Sequence, residues 1–312
     1  MHEFDLIDRY FKPLARGFPG SLALSDDAAL MDAPAGMQFV VTKDAISEGI
    51  HFIGSEEPAL IARKLLRTNL SDLAAMGAEP YCYFLSISLP VNQKSELSLE
   101  DWMSSFTSGL EQDQETFAVH LAGGDTTSSR SDLTLSMTAV GLVPQGKSLR
   151  RNGAKPGDTI YVSGTLGDSA LGLKLLSAHK EEEYLVTRYL LPQPRLALGM
   201  KLRTIATSCM DISDGLVQDL GHICKASGIG AIVYADQLPL SDAAKKQPEY
   251  LIAALTGGDD YELLFTTSLD LSRLDLPCPV TRIGVITDSS NVVVLDHDGS
   301  EMVLEKKGFE HF

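Results

Sequence analysis

Nine aspartates of the 312-residue chain, most of them at expected strand ends or beside Gly, Ser or Thr, stand out: Asp26, Asp27, Asp44, Asp72, Asp125, Asp211, Asp214, Asp259 and Asp260. Few basic residues accompany them; Lys43, Lys64 and Arg67 are the nearest in the chain. Two like charges ~4 Å apart repel by roughly 4 kcal/mol even at an effective dielectric of about 20, so acids that converge need protons or cations between them. Mg²⁺ prefers a few carboxylates together with waters and phosphate oxygens. The chemistry this composition fits is phosphoryl transfer, which depends on positioning and charge neutralisation. A phosphate acceptor is already deprotonated at neutral pH and needs no general base, in keeping with His51 as the only histidine beside a candidate site loop. Neither G-x-x-x-x-G-K-[ST], the protein-kinase motif set, G-x-S-x-G nor H-E-x-x-H occurs.

The acids need elements to hold them. Ile61, Leu65, Leu66, Leu70, Leu73 and Met76 recur at helical spacing between Pro58 and Gly77. Asn69 and Asp72, three apart, share a face of that helix inside its apolar stripe, where an unpaired carboxylate is costly. A second reading is open at this point: Asn69 or Ser71 caps a shorter helix and Asp72 is solvated in its first turn. Residues 38–42 read as a buried strand delivering the chain to Lys43 and Asp44. Strands at 81–89, 119–122 and 133–143 flank a helix at 99–117, and Gly123–Thr127 reads as a turn whose glycines allow close backbone approach. A short helix is expected at 4–12.

Past a composition change near residue 147, strands are expected at 159–163, 230–234, 263–266, 280–286 and 292–295. Helices are expected from about 168, at 182–190 and 195–207, after Asp214 through Lys225, and up to Thr256. The fold class is α/β (α+β) in two domains, 1–147 and 148–312, a length that can bury a substantial core. An apolar-Ser-Asp motif followed by Gly-Gly-Asp occurs twice, ending at Asp72 and Asp125 and again at Asp214 and Asp259. The repeat reads as duplication or, preferably, as two sites built from the same parts.

The net charge of −16 argues against a nucleic-acid partner and against an anionic membrane surface. Metal ions would reconcile it with a polyphosphate ligand. Cys82, Cys209, Cys224 and Cys278 form no C-x-x-C and no zinc spacing, which reads as reduced thiols in the cytoplasm. The N-terminal stretch reads as no signal peptide and no window approaches a membrane span.

Taken in order, several motifs resemble the thiamine-monophosphate kinase family, within the superfamily of aminoimidazole ribonucleotide synthetase and selenophosphate synthetase. They are SDDAAL at 25–30, KDAISEGIHF at 43–52, NLSDLAAMGAEP at 69–80 and LAGGDTT at 121–127. They continue with NGAKPGD at 152–158, SGTLGDSALGL at 163–173, DISDGLVQDLGHI at 211–223, TGGDDYEL at 256–263 and GFEHF at 308–312. The resemblance implies ATP-dependent phosphorylation of thiamine phosphate to thiamine diphosphate with Mg²⁺. It implies metal ligation by Asp27, Asp44, Asp72, Asp125, Asp211 and Asp214. Thr42, Lys43, Gly124, Asp125, Arg151 and Ser213 would contact ATP or its metals, and His51, Asp259 and Phe309 the thiamine phosphate. It further implies a homodimer, with the N-terminal mixed-sheet domain forming a β-barrel across the pair and the C-terminal α/β domain closing the cleft.

The chain departs from the family pattern at Ser25, where Gly is common, at Lys43, where Ser or Thr is common, and at Phe309, where Trp or Tyr is frequent. Phe309 still offers a ring face for stacking. An aminoimidazole ribonucleotide synthetase-like enzyme and a non-catalytic Mg-nucleotide-binding relative are the alternative readings. No Cys precedes Cys82, unlike the reactive N-terminal Cys of selenophosphate synthetases.

Overall fold

The computed structural model describes residues 3–91, 96–180 and 182–309, and the chain divides into two compact units. The first comprises residues up to Leu73 and Glu79–Gln145; the second comprises Ala74–Ala78 and everything from Gly146 onward.

In the first unit, strands β1 (Met37–Ser47), β2 (Glu79–Pro90), β3 (His120–Ser129) and β4 (Thr134–Pro144) form a mixed sheet in the order β1-β4-β2-β3. β4 is antiparallel to β1 and β2, and β3 runs parallel to β2. β1 and β3 are the edges, so the described strands of one chain form an open sheet, not a closed barrel. Helix α1 (Glu3–Leu6) is shorter than expected and passes into a wide turn at Ile7–Phe11 and a tight one at Lys12–Ala15. Pro13, without an N–H to donate, cannot continue an α-helix there.

Helix α2 (Pro58–Ala75) starts on its proline and ends at Gly77, whose φ of 66° is left-handed and whose N–H bonds the Ala74 carbonyl at 2.9 Å. It is one continuous helix, which removes the reading of a second, shorter helix capped at Asn69 or Ser71. Ile61, Leu65, Leu66, Leu70 and Leu73 are buried along it. Its polar anchor is a pair of its own arginines, which reach Asp113 on helix α3 (Leu99–Phe117). Arg67 forks onto Asp113 through Nε at 2.7 Å and Nη2 at 2.9 Å, and Arg63 Nε adds a bond at 3.0 Å. A planar guanidinium matching a buried carboxylate fixes orientation as well as position. The rotation of α2, and so the direction of Asp72, is set from the opposite side of the helix.

In the second unit, β5 (Thr159–Ser163), β6 (Ser208–Asp211), β7 (Gly230–Tyr234), β8 (Leu263–Thr267), β9 (Val280–Thr287) and β10 (Val292–Leu295) form a sheet in the order β10-β7-β9-β5-β8-β6. Only the β10–β7 pair is parallel. Its helices are α4 (Asp168–Ser177), α5 (Glu183–Leu190), α6 (Leu196–Leu202), α7 (Leu216–Ser227) and α8 (Tyr250–Thr256). α6 is shorter than the 195–207 expected, breaking into a turn in which Ile205 and Ala206 both bond the Leu202 carbonyl at 2.9 Å. Ile160, Val162, Ile212, Leu216, Leu220, Ile223, Val233 and Leu264 lie in one apolar cluster that seats α7 on the sheet.

Candidate active site

Two of the motifs occupy different structure from that expected. Lys43 and Asp44 lie inside β1, not at its end, because β4 continues the ladder as far as Ser47↔Thr134. Gly123–Thr127 is likewise no turn but the middle of β3, paired to β2 from Phe84↔Gly123 to Ser88↔Thr127. The glycine at 124 serves that pairing: a Cβ there would stand 1.9 Å from the Leu85 carbonyl oxygen.

Strand alternation sorts the residues of β1. Val40 and Ile46 are buried, so Thr42 and Asp44 share their inward face, while Val41, Lys43 and Ala45 face outward. Thr42 Oγ1 donates to Asp72 Oδ2 at 2.5 Å, joining the strand to α2. Burial first, and then the charge of Asp72, push Asp44 up to about 7. Thr42, Asp44 and Asp72 thus form one cluster of oxygen donors in which burial and the Asp72 charge both act against ionisation of Asp44. Such a donor set suits a small hard cation.

Lys43 and Asp125 stand elsewhere on the sheet. Lys43 Nζ donates to Ser136 Oγ at 2.8 Å, and Ser136 Oγ donates to the Asp44 carbonyl at 3.1 Å. Register places Asp125 in the row of Ser86, Ser136 and Ala45, the face of Lys43, one row along from Asp44, Met137, Leu85 and Gly124. Asp27 is exposed in the loop that follows three left-handed residues, Leu22, Ala23 and Leu24, and its N–H is held by Asp26 Oδ1 at 2.9 Å. His51 receives the Ser47 N–H on Nδ1 at 3.2 Å, and its carbonyl takes a 3.4 Å bond from the buried Lys64 ammonium.

The second unit gathers its predicted residues on loops. Asp211 ends β6, and Ser213 and Asp214 follow before α7 begins. The Ser213 carbonyl accepts the Asp259 N–H at 2.8 Å, and the Asp214 carbonyl accepts the Phe309 N–H at 2.9 Å. Gln218 Nε2 bridges the Asp214 carboxylate at 3.2 Å and the Phe309 carbonyl at 2.9 Å. Asp259 is held in a left-handed conformation, φ 66°, and accepts the Tyr261 hydroxyl at 3.1 Å. Close approach requires Gly258 and Gly308: a Cβ on the first would lie 2.5 Å from the Ser213 carbonyl, and on the second 2.8 Å from that of Asp214. Asp211, Ser213, Asp214, Asp259 and Phe309 are therefore brought together. Arg151 is exposed, its carbonyl 3.5 Å from Ser227 Oγ.

The hexapeptide Gly257–Glu262 points two ways. Asp260 turns inward, accepting the N–H groups of Gly167 at 2.6 Å and Ser169 at 3.3 Å, and burial pushes it up to about 8. Glu262 is also buried, bonded to Arg188 Nη2 at 2.8 Å, to Arg195 Nε at 2.6 Å and to Ser163 Oγ at 2.5 Å. These two acids hold the segment from which Asp259 projects.

Family models for the AIR synthase related protein match residues 25–143 with the N-terminal domain and 155–297 with the C-terminal domain. The thiamine-monophosphate kinase of Escherichia coli (strain K12) is 41% identical, over 99% of this chain and 98% of its own length. The chain belongs to the thiamine-monophosphate kinase family. A crystal structure of thiamine-monophosphate kinase from Stenotrophomonas maltophilia K279a superposes with a TM-score of 0.82 at 40% identity, covering 94% of this chain and 98% of that one. AaThiL complexed with AMPPCP and TMP gives a TM-score of 0.79 at 33% identity, over 99% of this chain and 97% of its own.

In this member of the thiamine-monophosphate kinase family, one residue that the motif reading passed over stands out. Asp219, 1% exposed, accepts three successive N–H groups, those of Ser213, Asp214 and Gly215, each at 3.1 Å on Oδ2. Burial first, then the Asp214 charge, push it up to about 7 against those bonds. Its signal was available: a carboxylate between Leu216, Leu220 and Ile223 sits in an apolar stripe, the argument that singled out Asp72. One ligand atom each from Asp214, Asp219 and His222 lies within 4.8 Å of the others, with His222 exposed.

Proposed function

We propose that this enzyme transfers the γ-phosphoryl group of ATP directly to thiamine phosphate, giving thiamine diphosphate and ADP. Membership in the thiamine-monophosphate kinase family supports this, as does the whole-chain likeness to a relative complexed with AMPPCP and TMP. The observation that carries the chemistry is the half-buried Thr42–Asp44–Asp72 cluster, an oxygen-donor set in which burial and the Asp72 charge both act against an ionised Asp44 and a bound cation would relieve them.

Asp27, Asp44, Asp72 and Asp125 of the first unit, and Asp211 and Asp214 of the second, are the proposed ligands of Mg²⁺. Bound there, Mg²⁺ supplies charge neutralisation for the triphosphate and the acceptor phosphate. Thr42, Lys43, Gly124, Asp125, Arg151 and Ser213 are assigned to ATP. For Lys43, its exposed position on an edge strand supports contact with a phosphate oxygen; for Gly124, the contribution is to β2–β3 pairing as much as to ligand approach. His51, Asp259 and Phe309 are assigned to thiamine phosphate. His51 accepts on Nδ1, so Nε2–H is the donor it offers. Phe309, 47% exposed with its backbone tied to Asp214, presents a ring face.

No protein nucleophile is required, because the acceptor oxygen is anionic at neutral pH; transfer is in line and forms no phospho-enzyme. The exposed Val41 and the open edges of the four-stranded sheet support pairing with a second copy to complete a barrel. Cytoplasmic location is part of the same proposal; no helix of the described residues is long and apolar enough to cross a membrane.

The test is ADP release from purified protein with Mg-ATP, with and without thiamine phosphate, scoring thiamine diphosphate. Product that needs both Mg²⁺ and thiamine phosphate supports the assignment. ATP binding without product removes thiamine phosphate as acceptor and leaves purine-pathway acceptors to be tried.

A further inference from the structure

The three N–H groups of Ser213, Asp214 and Gly215 converge on one point, the geometry of a backbone cradle for an anion. It also precedes the N-terminus of α7, a 12-residue helix whose dipole adds to the same pull. In many phosphate-binding turns such a cradle is left open for the ligand. Here the chain fills it with its own carboxylate, carried one turn into the helix it precedes. Asp219 is almost fully buried and reaches back to residues four to six positions earlier.

The cradle also organises its neighbours. Residues 213–215 give carbonyls to Asp259 and Phe309, and the Asp214 carboxylate takes a bond from Gln218, the residue just before Asp219. The Ser213 and Asp214 side chains have no β-ladder to fix them, since β6 ends at Asp211. Their placement rests on where the backbone of 213–215 is pinned, and three of its pins end on a single oxygen.

We infer that Asp219 is a positioning residue: its buried Oδ2 fills the 213–215 cradle, closes it to phosphate and sets where Ser213 Oγ and the Asp214 carboxylate stand. Nucleotide phosphate is then met by those side chains and not by the backbone N–H groups. The inference rests on the proposed roles of Ser213 and Asp214, but its primary readout does not.

The primary measurement is amide hydrogen exchange at 213–215 in substrate-free protein. In Asp219→Ala, exchange there rises at least about tenfold over wild type, while β5 and β8 are unchanged. Adding sodium formate, against sodium chloride at equal ionic strength, slows that exchange again and restores part of the lost turnover. Inorganic phosphate protects the same amides in Asp219→Ala and not in wild type. Unchanged exchange at 213–215, or formate acting no differently from chloride, overturns the inference. Where Asp219→Ala does not unfold cooperatively, Asp219→Asn carries the test, being isosteric and an acceptor through its amide oxygen. Raised exchange confined to 213–215 supports the role, and wild-type exchange overturns it. Should wild type make no thiamine diphosphate, the function assignment falls while the exchange result still decides what Asp219 does.

Discussion

NLSD at 69–72 and DISD at 211–214 look alike in the chain and are built differently. In the first unit the acid sits on a long helix and touches a strand: Asp72 is in the fourth turn of α2 and receives Thr42 from β1. In the second, Asp214 sits in a loop between β6 and α7, its backbone pinned by Asp219. The Gly-Gly-Asp partners differ the same way, Asp125 lying inside β3 and Asp259 in a left-handed loop position. The same letters are therefore no duplicated structure. Asp72 and Asp125 stand on a helix and a ladder, whose geometry the backbone maintains; Asp214 and Asp259 stand on loops that need buried side chains as supports.

That contrast can be broken experimentally. Asp72→Asn keeps the helix and can still accept from Thr42, so its thermal midpoint stays within a few degrees while turnover falls about 10³-fold, the loss expected when roughly 4 kcal/mol of charge complementarity is removed. Near-normal turnover by steady-state assay would return Asp72 to a purely structural place. Gly124→Ala should act on the fold: its Cβ meets the Leu85 carbonyl, so chemical denaturation should show a loss of about 2–4 kcal/mol, with ATP affinity retained in whatever remains folded. Unaltered stability with lost ATP binding would mean that ligand approach, not strand pairing, demands the glycine.

Asp260 sharpens the other side. Burial lifts its carboxyl from 3.8 to about 8, so the folded state favours the protonated form. The stability this gives is full below about 4 and is lost as pH rises through about 8. Denaturation of wild type against Asp260→Asn should show the wild-type advantage shrinking across that window and level above it; a difference independent of pH would show that Asp260 is ionised throughout. The smallest effect is at Phe309, where Ala should raise the KM for thiamine phosphate about three- to tenfold with kcat nearly unchanged, in line with a single ring contact. A loss confined to kcat would contradict a stacking role.

The regular elements were legible because periodicity reports burial directly. α2 follows from its leucines, and its Asp72 was noticed because a carboxylate has no place in that stripe. The extent of β1 and β3 was not legible: Lys43-Asp44 and Gly123-Gly124-Asp125 have poor strand propensity, and only the pairing of β4 and β2 holds them extended. Alternation then separates Lys43 from Asp44, which a linear reading places side by side. In the second unit the motif acids were visible, but not that Asp260 and Glu262 face the interior, because their partners Gly167, Arg188 and Arg195 lie far off in the chain.

The two-way pointing of residues 257–262 has a consequence for how this stretch can change over time. Asp259 faces one way, and Asp260 and Glu262 the other, over four consecutive positions. Adding or deleting a single residue there would exchange the two sets, turning an anchoring carboxylate outward and leaving Arg188 and Arg195 without their acid. Many single substitutions would disturb one function only; a change of length would disturb both at once. Length, more than composition, is the property of this hexapeptide that the protein can least vary.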